Sequence, residues 1–505
     1  MSWAVVALSL TVYVATLAPD LTFEHFGTDG GDLIAAARTF GVAHPSGYPA
    51  YTLLARLFSC IPIGTLAYRT NLLSAFCAAL AAGLLCRSAL LLLPGRHSLL
   101  LSAAAALTFA FSSLYWSQAV ITEVYALLAL MAATLLWLFV RWRDRGGDSS
   151  LWLAGLVMGV GLGNHLTLAF ALPAALVLLW PERKRWLRVG ALLPTILLFL
   201  LGLGIYAYLP LAAAHRPPVN WGDPRTWERF LWVVTAKQYQ AFVFGLPAAG
   251  IPGRLASWAE LLGDQFGWWG LALSLAGAWW WWRRDRRFVL FSLTWMLPLG
   301  IYAFFYMPGD SQVYLIPVLL LLALWWAEGA RYLIYLSERL RPIWKQAVLV
   351  LILLLPLASL ILHWQAADLS DNWDARAFIQ KALAGIESDG LVVVRRDQPT
   401  FALWYAIYAE DLRPDISVVN GRMLAFVWYR NLIRELYPDI ILEEPTAANV
   451  TTDDLVHDLI LLNYPLYSIY ATDPVAEWEE WFDFVQEGEA PIYRVHLKTR
   501  WESGP

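Results

Sequence analysis

Long apolar runs fill the chain as far as Trp364, among them Leu99–Ala110, Leu187–Leu211 and Val313–Trp326, and ordinary globular text rich in Asp, Glu and Arg follows. A bilayer-spanning helix needs about 20 apolar residues, with a range of roughly 17–25. On that measure the candidate spans are 2–18, 71–93, 99–114, 119–140, 151–163, 166–180, 188–210, 266–282, 288–306, 313–335 and 346–363, eleven in all and several of them short. Two regions result: a membrane region over 1–363, with long polar loops at 19–70 and 211–265, and a soluble region over 364–505.

The soluble region alternates helical and strand periodicity. Helices are expected over Trp373–Ile386, Gln398–Glu410, Leu424–Leu436 and 452–463, and strands at 391–395, 416–420, 467–472 and near Ala490–Leu497. Such alternation predicts an α/β domain with a mainly parallel sheet. It carries neither a Gly-rich phosphate loop nor a nucleophile elbow, so acceptor recognition or docking is expected of it rather than a second active site.

Composition agrees with the pattern. Hydrophobic residues make up 59% and charged residues 15%, against about 25% charged in soluble domains. The 28 Trp residues gather near run ends, as an interfacial belt requires. Cys60, Cys77 and Cys86 form no metal or disulfide pattern. The first run reads as a retained anchor, because its start lacks the basic residues of a cleavable signal. No nucleic-acid partner is expected; membrane lipids are.

Short loops carry the Lys and Arg that orient a membrane protein. Five clusters do so here: Arg96; Arg141, Arg143 and Arg145; Arg183, Lys184, Arg185 and Arg188; Arg283, Arg284, Arg286 and Arg287; Arg339, Arg341 and Lys345. If all are cytoplasmic, the N-terminus is inside, and the loops 19–70 and 211–265 and the soluble region face outward. In a prokaryote the membrane would be the plasma membrane.

Polar residues then collect on the outer face. The first loop holds Asp20, Glu24, Asp29, Asp32, His44 and Arg69, and the second holds Asn220, Trp221 and Asp223 among the arginines of 215–230. Glu123, Asn164–His165 and Asp310 punctuate run ends on the same side. Ionisable groups at membrane depth are expensive and are read as functional. Leu33, Ile34, Ala37 and Phe40 define an amphipathic helix lying in the interface, with Gly41 as its stop. The HPSGYP turn at 44–49 would fix His44 and Tyr48. Bland roles remain open: Asp29 as a helix N-cap, Asp32 as a first-turn acid, Glu123 as a packed carboxylate, Asn164–His165 as caps and the arginines as a solvated face.

Several motifs resemble, in order and spacing, those of the protein O-mannosyltransferase-like membrane proteins with the GT-C glycosyltransferase fold. They are Asp29-Gly30-Gly31-Asp32-Leu33, His44-Pro45-Ser46-Gly47-Tyr48-Pro49 and Arg69-Thr70-Asn71-Leu72-Leu73-Ser74-Ala75. Further along come Trp116 with Thr122-Glu123-Val124-Tyr125, Gly163-Asn164-His165 and Asn220-Trp221-Gly222-Asp223-Pro224. The resemblance covers about 13–335 and continues more loosely through 395–420. Asp32, Gly30 and Ser46 stand where the family has Glu, Ser and Pro.

The resemblance implies an α-helical polytopic membrane enzyme with a C-terminal α/β domain. It would be an inverting glycosyltransferase moving a sugar, mannose among the candidates, from a polyprenyl-phosphate donor to a protein, lipid or glycan acceptor. Asp29 would be the catalytic base, and Asp32 would orient the acceptor or assist a divalent metal, for which no ligand motif stands out. Glu24 is the rival base, because Glu24-His25-Phe26-Gly27 resembles the acidic motif of classical O-mannosyltransferases. Donor and acceptor contacts would come from His44, Tyr48, Arg69, Glu123, Asn164, His165, Asn220, Trp221 and Asp223. A non-enzymatic carrier or flippase of lipid-linked saccharides is the alternative.

Overall fold

A computed structural model describes residues 1–338, 341–445, 450–475 and 478–498. Its membrane region opens with α1 (Ser2–Ala15), α2 (Gly30–Thr39), α3 (Pro49–Ser59) and α4 (Leu66–Leu92). The 27 residues of α4, at about 1.5 Å each, outreach a hydrocarbon core of about 30 Å. After α4 come α5 (Ser98–Ala110), α6 (Ser113–Ala119), α7 (Tyr125–Arg145), α8 (Ser149–Leu162) and α9 (Ala171–Leu179). Val189–Leu203, Ile251–Arg284, Arg286–Phe305, Ile316–Ser337 and Pro342–Ala367 complete the bundle.

Seven helical segments among the described residues are long and apolar enough to cross a membrane, and α5 with α6 forms an eighth bent by 70°. The chain is therefore an integral, multi-pass membrane protein. Two expected spans are interrupted. The 99–114 run breaks between α5 and α6, and the 119–140 run becomes helical only at Tyr125. The intervening backbone is satisfied by protein partners such as Ala18 N–H on Val120 O (3.1 Å), which makes a break tolerable at that depth.

The basic clusters meet at one end of the bundle. Arg143 pairs with Asp285 at 2.7 Å, Arg188 reaches Asp148 at 3.7 Å, and Arg185 lies over the Trp142 ring. Arg284 donates to Leu92 O at the last turn of α4, and Arg96 and Lys345 line one cleft. Arg339 lies outside the described residues. The opposite end of α4 holds Asn71, whose side-chain amide donates to Ala18 O and Asp20 O in the first polar loop.

Beyond Ala367 a five-stranded sheet runs in the order β2-β1-β3-β5-β4, with β1 Leu391–Val394, β2 Ser417–Asn420, β3 Ile469–Ala471, β4 Phe482–Gln486 and β5 Tyr493–Leu497. β1 pairs in parallel with β2 and β3, while β5 is antiparallel to β3 and β4. The sheet is thus mixed, not mainly parallel. A connection as short as 487–492 can join only antiparallel neighbours. β4 was not expected, because its half-exposed FDFVQ lacks a clean alternation.

This region is bolted to the first polar loop. Arg376 binds Asp20 at 2.6 Å and Glu410 at 2.6 and 2.7 Å, and Tyr405 donates to both carboxylates. Gly31 in α2 sits so close to Phe401 O of the Asp397–Trp404 helix that a Cβ there would collide with backbone. Residues Gly30–Ala37 are all buried. The expected interfacial helix is therefore covered by protein, not lipid, because glycines and alanines on its polar side let a second helix close over it. It also ends one residue earlier than expected. Phe40 takes the left-handed turn (φ 54°), and Gly41 N–H caps Ala36 O at 2.8 Å.

Candidate active site

A cavity of about 510 Å³ opens where the first loop, the hairpin at 302–314, the second loop and the soluble region meet. Asp29, His44, Tyr48 and His165 all line it. Asp29 stands just ahead of α2 and makes no side-chain capping bond, so its carboxylate is free of the N-cap role. It keeps 36% of its side-chain surface open and lies 3.4 Å from His44 Nε2.

His44 is held from the other side by Asp32. The main-chain N–H and Nδ1–H of His44 donate to Asp32 Oδ2 at 3.0 and 2.8 Å, and Trp221 Nε1–H donates to Oδ1 at 2.8 Å. Asp32 itself is fully buried and does not line the cavity. An orienting contact with a substrate is thus out of its reach; what it orients is His44. The turn that aims His44 closes through Gly47 N–H on His44 O at 2.8 Å, with Gly47 at φ +85°, a conformation glycine adopts without a Cβ penalty. Pro49 then starts α3, where its missing N–H costs nothing.

Charge follows from this chain of contacts. Burial works against a charged His44, but the carboxylates of Asp29 and Asp32, and Glu123 further off, outweigh it and raise its pKa to about 9. Burial raises Asp29 above the ordinary carboxylate range; the His44 charge opposes that, and Asp32 adds to it. His165 goes the other way: burial, helped by the His44 charge, lowers it to about 4, so it is neutral. Glu123, buried beside the site with Oε2 accepting Val124 N–H at 3.2 Å, is pushed well up by burial and by Asp29.

The other expected residues divide. His165 Nδ1 meets Thr167 Oγ1 at 2.7 Å and leaves its opposite edge toward the cavity wall, 5.2 Å from the Tyr314 ring. Asn164 is buried and donates to Val124 O. Arg69 is spent on the backbone carbonyls of Ile63, Ser59 and Gly64, so it does not reach the cavity. Asp223 is neutralised by Arg225 at 2.6 Å and by Arg229, and Asn220 bridges to Val42 in the backbone. These two shape the loop that carries Trp221. Glu24 is exposed and outside the cavity lining.

The sequence puts Asp310 and Tyr239 among the outer-face polar groups without a role and gives Asp397, Tyr306 and Tyr314 no place in the site, yet all five line the cavity. Asp310, between two apolar runs, carried the signal of a polar run end. Asp397 had its place after a strand and within the looser resemblance over 395–420. Among the described lining residues there is no Lys or Arg.

Residues 29–187 match the Protein O-mannosyl-transferase TMEM260 N-terminal domain, and 375–498 match the TMEM260-associated domain 2. Over these two stretches the chain resembles the protein O-mannosyltransferase-like family. It is 29% identical over 461 residues to mouse Protein O-mannosyl-transferase TMEM260, covering 85% of this chain and 63% of that protein. The Dictyostelium discoideum protein of the same name is 24% identical, over 83% of this chain and 57% of its own length. The chain thus spans about three fifths of the curated relatives it matches. Among solved structures, ArnT from Cupriavidus metallidurans bound to undecaprenyl phosphate superposes with a TM-score of 0.63 at 12% identity, over 100% of this chain and 99% of that one. Its apo form gives 0.60 at 13%, over 98% and 97%. The fold is that of the GT-C class.

Proposed function

We propose that the protein is an inverting glycosyltransferase that moves mannose from a polyprenyl-phosphate donor to a Ser or Thr hydroxyl of a protein on the non-cytoplasmic side of the membrane. The observation that carries this reading is the Asp29–His44–Asp32 chain at the wall of a cavity that touches both membrane helices and the soluble region. The names of the curated relatives, and the lipid phosphate named in the ArnT structure, support the same choice of substrates.

The reaction is one displacement. The acceptor oxygen bonds to the anomeric carbon as the bond from that carbon to the phosphate oxygen breaks, and the polyprenyl phosphate leaves with the electron pair. Asp29 takes the hydroxyl proton, and a carboxylate raised toward neutrality suits a general base. His44, positively charged and fixed by Asp32, meets the charge growing on the phosphate. With no Lys or Arg in the described lining, hydroxyls of Tyr239, Tyr306 and Tyr314 supply the remaining donors. Tyr302, Phe242 and Val243 give the same wall an apolar stretch fit for the start of the lipid chain. The basic end of the bundle is cytoplasmic in this reading, and the soluble region lies outside.

The test is transfer from radiolabelled polyprenyl-phosphate mannose to a Ser/Thr peptide by purified protein in lipid nanodiscs. Label on the peptide, with an inverted linkage, is expected. Movement of the intact donor between leaflets with no transfer to any hydroxyl acceptor would make the protein a carrier instead.

A further inference from the structure

We propose that Asp397, brought to the cavity by the soluble region, holds the acceptor polypeptide through its backbone or side-chain N–H groups and so sets acceptor selectivity. This deepens the transferase reading above and rests on it.

Asp397 shares the cavity wall with Asp29 but comes from the opposite part of the chain, at the first position of the Asp397–Trp404 helix. Its neighbours are paired: Arg395 binds Asp453 at 3.2 Å and Arg396 binds Asp473 at 2.5 Å. The Asp397 carboxylate has no hydrogen-bond or ion-pair partner among the described residues, although it is exposed and within reach of ligand. A first-turn acid gains about 0.3–1 kcal/mol from the helix dipole, which accounts for a carboxylate there but not for its facing a second carboxylate across a cavity. The Asp29 charge across the cavity disfavours a second bare carboxylate, and a bound N–H donor would offset that repulsion.

The sign of the charge decides which substrate it serves. A carboxylate repels the donor phosphate and attracts N–H groups. The aromatic wall of Tyr302 and Phe242 belongs to the membrane helices and the second loop, whereas Asp397 comes from the soluble region. Its position is also rigid. Gly31 packs against Phe401 four residues on, and the Arg376–Asp20–Glu410 cluster ties the soluble region to the loop that carries Asp29. Acceptor grip and catalytic base are therefore held at a set spacing.

The experiment uses full-length Asp397→Asn and Asp397→Glu in nanodiscs with a fluorescein-labelled Ser/Thr peptide and polyprenyl-phosphate mannose. Loss of one hydrogen bond to a charged group is expected to raise the acceptor KM about 10-fold or more in Asp397→Asn. The donor KM and the melting temperature should stay unchanged, and Asp397→Glu should recover part of the loss. Peptide binding, read by fluorescence anisotropy without donor, should weaken by the same factor. An unchanged acceptor KM, a raised donor KM or a lowered melting temperature that explains the whole loss would overturn the assignment. Wild-type protein that binds no peptide overturns it as well. Wild type that binds peptide through Asp397 yet transfers no sugar would leave the grip standing and remove the transferase reading.

Discussion

Replacing Asp32 by Asn removes a charge while keeping the shape, and the structure says what must follow. Asp32 is fully buried and accepts three N–H donors, two from His44 and one from Trp221. An amide has a single acceptor oxygen, so either Trp221 or the His44 pair faces an NH₂ group. One orphaned buried donor costs about 1–3 kcal/mol, and bonds to a charged group are worth about 1.5–3 kcal/mol. A loss of about 2–4 kcal/mol in folding stability is the resulting expectation. The imidazolium also loses the partner that most directly holds it. His44 is raised to about 9, so a reaction that needs it charged proceeds below that pH and fails as pH rises through it. In Asp32→Asn that alkaline limb should move down toward the ordinary histidine value. At pH 7.5 turnover should fall by about 10²–10³, the usual cost of one preorganised donor to a developing charge. Initial rates of mannosyl transfer between pH 5.5 and 9.5, with thermal unfolding in the same detergent, measure both effects. An Asp32→Asn enzyme with wild-type turnover and an alkaline limb still near 9 would refute the role given to the His44–Asp32 pair.

Asp29→Asn should behave oppositely: no capping bond is lost, stability stays near wild type, and turnover falls by about 10²–10⁴ for want of a base. Glu24→Gln, altering an exposed residue outside the cavity lining, should leave transfer intact, and a dead Glu24→Gln beside an active Asp29→Asn would exchange their roles. Arg376→Met leaves Asp20 and Glu410 unpaired and should cost about 3–5 kcal/mol, read as faster proteolysis at 368–373 and a lower melting temperature. With exposed Cys60 replaced by Ser, cysteines at the exposed positions Lys237 and Arg396 should react with an impermeant maleimide from outside, and those at Arg145 and Arg286 should not. Labelling of all four from one side would overturn the topology.

Much of the architecture is local and therefore visible in the chain. The apolar run of α4 and the periodicity of 452–463 announce helices by composition alone, and strand β1 shows as four consecutive buried aliphatics. His44 and Tyr48 are legible because HPSGYP dictates its own turn. Asp29, in an outer polar loop, and His165, at a run end, stand out as ionisable residues that a membrane protein does not place there without reason. Arg69 misled, since a cation near the outer face can as well be consumed by three backbone carbonyls, and nothing in its neighbours distinguishes the two. Asp32 and Trp221 are 189 positions apart, and their hydrogen bond exists only after the second loop folds over the first. The covering of α2 depends on Phe401, from a region whose own pattern says nothing about where it docks. Asp397 reached the cavity by the same docking. Hydrophobic period and turn chemistry act over a few residues and can be read in order; burial, pairing and charge at the cavity arise from contacts between distant segments, which tertiary packing alone brings together.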